Sequence, residues 1–185
     1  MKALLVLAVI TILGLILKIR SLSKKLKYVD EANMWHKLAI TDSLTGVYNR
    51  NAYDLKIIEI KKDITKKQRG IVIFDVDDFK LYNDTKGHFA GDEILKKVGE
   101  KLLEKFPEPE SMVFRIGGDE FSVLCENMSE KEIIRRLISL KKSLEQKEIY
   151  LSKGYSIIKD HPEESFRFAD EMLYADKLSK KHSNV

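Results

Sequence analysis

The apolar positions follow two rhythms along most of the chain, a period of two and a period near 3.6. Ile71-Val72-Ile73-Phe74 is an unbroken apolar run, suited to a central strand buried on both faces, and predicts a strand over 70–76. Met112-Val113-Phe114 and Phe121-Ser122-Val123-Leu124-Cys125 predict two more strands. Between them, Gly117-Gly118 predicts a tight hairpin, the glycines supplying positive backbone dihedrals. Residues 148–158 read as a fourth strand interrupted at Gly154. Tyr53, Ile57, Ile60 and Ile64 share one face of a helix from about Asn49. Ile94, Leu95, Val98, Leu102 and Leu103 point inward from a helix that starts near Gly91 and is closed by Pro107 and Pro109. Ile133, Ile134, Leu137, Ile138 and Leu144 mark a helix capped by Ser129, and a last helix runs from near Pro162 to Lys181. Residues 78–83 form a short turn or helix. Strands alternating with helices, with one hairpin, fit an α/β sheet covered by helices.

The first forty residues are patterned differently. Ala3 to Leu17 is apolar apart from Thr11, with Gly14 inside it. The run is shorter than the roughly 20 residues of a spanning helix. Ile19 extends it, and Lys18 and Arg20 can snorkel to headgroups. Positive charge is denser after the run than before it, which places the C-terminal domain in the cytoplasm. The expectation is a single-pass cell-membrane anchor over 1–20. A cleaved signal peptide is the rival, with Ser21 and Ser23 in an awkward context for cleavage. Ile19, Leu22, Leu26, Val29, Asn33, His36 and Ile40 then alternate spacings of three and four. Such a seam suits a short parallel coiled coil with a second copy, or a stripe that packs on the domain or lies free. Residues 21–40 are therefore a helical linker and 41–185 the domain.

Composition adds two constraints. The net charge of +4 is uneven: residues 1–40 carry seven Lys or Arg against two acids, and the remainder 26 against 27. The excess belongs to the appendage and gives no support for nucleic-acid binding. The single cysteine, Cys125, excludes an internal disulfide and reads as a buried, inert thiol.

Candidate chemistry lies where two strands end. Asp119 and Glu120 sit on the predicted hairpin, and Asp75-Val76-Asp77-Asp78 closes the buried strand. Carboxylates at the end of a buried strand are costly unless paired or bound to a cation. If the hairpin lies beside that strand, Asp75 and Asp119 can share a divalent ion, and Mg²⁺ prefers one or two carboxylates plus substrate phosphates.

Six segments in order resemble the GGDEF domain of the diguanylate cyclase family. They are Asp42-Ser43-Leu44-Thr45-Gly46-Val47-Tyr48-Asn49-Arg50, Phe74 to Asp84, Gly87-His88-Phe89-Ala90-Gly91-Asp92, Arg115 to Phe121, Ser152-Lys153-Gly154, and Ala169 to Lys177. The resemblance covers the chain from about Thr41 onward. It implies a palm-like βαββαβ nucleotide-cyclase fold with a central, mostly antiparallel sheet flanked by helices.

It also implies an activity, the condensation of two GTP into cyclic di-GMP with release of two pyrophosphates. Two Mg²⁺ or Mn²⁺ ions per site are expected, with Asp75, Asp119 and the Val76 carbonyl as ligands. Glu120 is a third ligand or the base that takes the 3′-proton. Asp119 and Glu120 are thus the expected catalytic acids. Asp78-Phe79-Lys80 resembles the family's phosphate cradle, and Lys177 its phosphate-binding lysine. The usual Gly-Arg-Asn ending is replaced by Lys180-Lys181-His182, so Lys181 stands for arginine without its bidentate geometry. Asn83 and Asp92 match the guanine-reading pair, Arg115 orients the hairpin acids, and His88 holds a turn. The family's product site, Arg-x-x-Asp, is here Glu108-Pro109-Glu110-Ser111, where no cation is expected.

The implied partners are GTP, the membrane, and a second copy through the linker helix and the domain face. Two other classes stay open. One is a GTP- or cyclic-di-GMP-binding signalling module without turnover. The other is a cyclase making a mononucleotide, which Asp92 argues against.

Overall fold

The computed structural model describes residues 2–63, 67–158 and 162–183, with the backbone alone at 2–13, 29, 31–33, 35–36 and 181–183. The chain divides into two units, residues 1–39 and 40–185. The first is one helix, α1 (Lys2–Ile40). Its exposed positions include Ile19, Leu22 and Leu26, while the side chains of Val29, Asn33, Trp35 and His36 lie outside the described residues. Among the described residues no helix is long and apolar enough to cross a membrane. The side chains of most of the Ala3–Leu17 run, on which the anchor expectation rests, fall outside the described residues.

The second unit is built on a four-stranded antiparallel sheet. Its strands are β1 (Arg69–Val76), β2 (Ser111–Arg115), β3 (Glu120–Glu126) and β4 (Leu151–Ile158), in the order β2-β3-β1-β4. The helices are α2 (Arg50–Lys62), α3 (Phe79–Lys86), α4 (His88–Lys105), α5 (Glu130–Glu145) and α6 (Pro162–Ser183), which gives the expected βαββαβ plan. β1 is central and buried along its whole length, as its apolar run requires.

Alternation along β1 sorts the core into two faces. Val72, Phe74 and Val76 join Phe121, Val123 and Cys125 of β3 under Leu95, Val98 and Leu102 of α4 and Ile133, Leu137 and Leu140 of α5. Ile71 and Ile73 join Phe114 and Leu124 under Ala52 and Ile60 of α2 and Ala169 and Leu173 of α6. Asp75 follows Ile71 and Ile73 and so belongs to the α2/α6 face. Cys125 is buried, and burial pushes its thiol up to about 12.

Helix ends follow local chemistry. The Asn49 side chain accepts from Ala52 N–H at 3.1 Å and starts α2. Ser129 accepts from Glu132 N–H at 3.2 Å and starts α5. The 41–50 segment is stitched to the sheet edge: Tyr48 N–H donates to Val113 O, and Arg115 N–H to Tyr48 O. The outer backbone of β2 is thereby covered.

Four expectations are corrected. Gly117 and Gly118 do not adopt positive φ; among the described glycines Gly46 and Gly87 do. β4 runs through Gly154 without a break, in register with Ile73. α4 begins at His88, so Gly91 lies inside it, where a Cβ would meet Asn83 Oδ1 at 1.9 Å. Leu103, Ile134 and Ile138 face outward, since the inward positions of their helices are taken by Leu102, Ile133, Leu137 and Leu140. Ile64 lies outside the described residues.

Gly154 has a packing reason instead. A Cβ there would sit 1.9 Å from Ala169 O and 2.5 Å from Leu173 N, backbone atoms of α6 that cannot swing away. Gly154→Ala is expected to cost about 1–3 kcal/mol, the usual scale of overpacking. Gly118→Ala, with nothing within 4 Å of its Cβ, is expected to stay within about 0.5 kcal/mol. Urea titrations of the two variants check both values.

Candidate active site

Where β1 ends, a cleft of about 1080 Å³ opens. Asp75, Val76 and Asp77 form its floor, with Asp78, Phe79 and Lys80 at the start of α3 beside them. Asp119 enters from the hairpin, Lys153 from β4, and Lys177 and Lys180 from α6; Leu137, Leu140 and Leu144 of α5 form an apolar wall. Among the described residues the lysines of the lining match its acids in number. Such a balance suits an anion carried with its cation better than a bare metal trap.

Asp75 is 9% exposed. Burial is the largest influence on its carboxyl and pushes it above the usual range. Lys177 opposes this through an ion pair at 2.7 Å, while the charges of Asp119 and Asp77 add to the rise. Asp119 also ties in through its backbone, its carbonyl accepting from Val76 N–H at 3.2 Å. Glu120 opposes Asp75 across the β1–β3 pairing. Its side chain is exposed and leans over Gly117, where a Cβ would lie 2.4 Å from Oε2. A side chain at 117 would make the Glu120 carboxylate, the far end of a flexible side chain, swing aside. The turn is closed by Ile116 N–H on Glu120 O at 2.9 Å.

Arg115 holds the hairpin by its backbone. Its Nε and Nη2 donate to Gly118 O at 3.1 and 2.7 Å, and Nη1 to Asp42 Oδ1 at 3.2 Å. Burial pushes the Asp42 carboxyl up, but donations from Thr45 N–H and Oγ1 and the Arg115 charge outweigh it and hold it below the usual range. Asp42 therefore adds stability above its unfolded-state pKa, and this is lost as pH falls through the folded value.

Asp78 takes a left-handed conformation, φ 54°, and its side chain makes no capping bond, so the first N–H groups of α3 have no side-chain partner there. Asn83 and Asp92 lie on α3 and α4 and do not themselves line the cleft. Asn83 Oδ1 is buried without a hydrogen-bond partner beside Gly91. His88 is exposed at the first position of α4. The side chain of Lys181 lies outside the described residues.

Sequence reasoning missed Asp77 and Lys180. Lys180 Nζ bonds Asp77 Oδ2 at 2.8 Å and Leu151 O at 2.6 Å. The available signal was the three-residue spacing of Lys177 and Lys180, which puts both ammonium groups on one face of α6. The 108–111 stretch also needs correction. Arg136 of α5 reaches it, 2.8 Å from Glu110, so a cation is present there, shared between Glu110 and Glu132.

Residues 39–183 match the family described as diguanylate cyclase, GGDEF domain. The chain belongs to the GGDEF family. The coiled coil and GGDEF domain of DgcB from Caulobacter crescentus, solved in complex with c-di-GMP, is similar in fold, with TM-score 0.78 and 22% identity over 86% of this chain and 91% of that one. The GGDEF domain of YfiN (TpbB) from Pseudomonas aeruginosa is 27% identical, with TM-score 0.67, over 75% of this chain and 89% of that one. An uncharacterized membrane protein of Staphylococcus aureus (strain USA300) is 28% identical over 182 residues, 85% of this chain and 50% of its own length. The chain thus spans about half the length of the curated relatives it matches.

GGDEF cyclases work with a divalent metal, and the residues present can be tested for one. Among the described residues no three His, Cys, Asp or Glu groups converge as a ready metal cage. Asp75 and Asp119 line the same cleft, near enough for the charge of one to act on the other, and Asp75 already draws a cation, the Lys177 ammonium. Two carboxylates and a main-chain carbonyl fit an ion that brings phosphate ligands with it.

The raised Asp75 carboxyl has a sign that can be checked. Its charged form is disfavoured by folding, so it lowers stability at neutral pH and this cost fades as pH falls through the folded value. In buffer free of divalent ions, Asp75→Asn is expected to unfold at higher urea than the natural chain at pH 7, with the gap closing toward acid. Denaturation midpoints across pH measure it.

Proposed function

We propose that this GGDEF chain is a diguanylate cyclase that joins two GTP molecules into cyclic di-GMP and releases two pyrophosphates. One observation carries the reading: Asp75, Asp119, Lys177 and the uncapped start of α3 meet at one cleft. The N–H groups of Phe79 and Lys80 bond triphosphate oxygens at the positive end of α3, and Lys80 and Lys177 add charge. Asp75, Asp119 and the Val76 carbonyl hold Mg²⁺ or Mn²⁺, two per complete site. When bound, the metal stabilises the attacking and leaving oxygens. Lys177 exchanges Asp75 for a phosphate as the nucleotide enters.

Asp92 accepts from guanine N1–H and N2–H₂, a donor pair adenine lacks. Asn83 is the second base-reading residue, its unpartnered Oδ1 turning out from beside Gly91 to reach the base. Glu120 turns inward from Gly117 to take the 3′-proton or to join the metal ligands. The 3′-oxygen of each GTP bonds to the α-phosphorus of the other, the bond from that phosphorus to the β-phosphate oxygen breaks, and pyrophosphate leaves with the electron pair. Each domain brings one nucleotide, so two domains face each other, brought together by α1 and a membrane anchor near its start.

A second reading has an observation of its own: Glu120 stands outside the cleft lining. On that reading the domain binds GTP or cyclic di-GMP without turnover.

Incubation with GTP and Mg²⁺ or Mn²⁺, followed by chromatography of the products, separates the two. The natural chain should yield cyclic di-GMP, and Asp119→Ala about 100-fold less or none. Absence of any cyclic dinucleotide from the natural chain would end the cyclase reading and favour the binding module. For the anchor, the full chain is expected in alkaline-washed membranes and a version lacking residues 1–20 in the supernatant; the full chain in the supernatant would count against an anchor.

A further inference from the structure

We propose that Lys180 is a positioning residue whose ammonium group cancels the charge of Asp77 on the cleft floor, so that a triphosphate can approach the start of α3. The inference rests on the nucleotide-binding part of the reading above, and gives a role to a residue that stands where the family's usual ending has glycine.

The ammonium group is held by three elements at once. It lies 2.8 Å from Asp77 Oδ2 at the end of β1, 2.6 Å from Leu151 O and 3.2 Å from Ser152 Oγ on β4, and 3.3 Å from Asp176 Oδ2 on its own helix. Asp176 accepts from Lys153 N–H at 3.0 Å, which fixes it in turn. A lysine that only favoured a helix end through its dipole would need none of these partners.

Asp77 is held just as firmly. Its N–H donates to Tyr150 O at 3.0 Å, and Ser152 Oγ donates to Oδ1. Its carboxylate lines the same cleft as Lys80 and Lys177 and precedes the left-handed Asp78 that opens α3. Without Lys180, one neutral hydroxyl would remain against that charge. An unpaired acid there would repel incoming phosphates and compete for their cation. With Lys180 in place, the divalent ion is left to Asp75 and Asp119.

The test uses the full chain and a fluorescent GTP analogue with Mg²⁺, followed by anisotropy at low and high salt. Lys180→Met is expected to weaken binding about tenfold, the scale of one unpaired charge at a partly solvated site, and more at low salt. Asp77→Asn combined with Lys180→Met should restore affinity to within about twofold, because the acid on the cleft floor is then uncharged too, while Asp176 keeps the Lys153 N–H and does not line the cleft. Asp77→Asn alone should bind at least as tightly as the natural chain, and this arm decides the matter if Lys180→Met does not fold. The proposal is overturned if Lys180→Met binds normally, if the double variant stays weak, if Asp77→Asn loses affinity, or if the natural chain does not bind the probe. A natural chain that binds the probe but makes no cyclic dinucleotide defeats the cyclase reading and leaves this one standing.

Discussion

The central strand ends in a carboxylate that burial disfavours, and the last helix supplies the ammonium group that offsets it. Much of the second unit can be read as what it takes to bring Lys177 within 2.7 Å of Asp75. α6 must lie almost on the backbone of β4, which Gly154 permits. It must also stay there, and Ala169 and Leu173 seat it on Ile71 and Ile73. Alternation along β1 then puts Asp75 on the same face as α6. Core packing and site electrostatics are therefore one arrangement, in which the apolar contacts hold the charges in place.

The hairpin is held from a different direction. Arg115 grips the Gly118 carbonyl with two donors and reaches Asp42 with a third. Asp42 is fixed by Thr45, and the same segment covers the edge of β2 through Tyr48. Asp119 thus owes its position to a loop more than seventy residues earlier in the chain. The Gly118 carbonyl and the Asp42 carboxylate take the arginine, which leaves the hairpin's own acids to other partners.

The strand and helix pattern was legible because burial dictates it. β1, the hairpin strands, a helix starting near Asn49 and the Ser129 cap follow from apolar spacing and capping residues, and the βαββαβ order from the resemblance to the GGDEF family. The cleft's acids were legible because a buried strand seldom ends in Asp without a reason. What escaped depended on long-range contact. Gly154 looked like a break because its need lies in α6, far along the chain. Ile134 and Ile138 looked inward because helical spacing marks a stripe but not which edge of it the sheet will cover. The partners of Lys180 and Arg136, Asp77 and Glu110, lie far along the chain, and local pattern does not connect them. The Gly117-Gly118 turn suggested unusual dihedrals, whereas what a side chain at 117 would meet is the Glu120 carboxylate.

That last point couples the turn to the direction of its acid. The lack of room at residue 117 is imposed by the Glu120 carboxylate leaning across it, and not by its own backbone. The exposed carboxylate can swing clear, so a larger residue at 117 would be met by a change in where the acid points. The glycine thus leaves open the resting direction that residue 120 takes here, and a substitution at 117 would redirect that acid before it disturbed the fold.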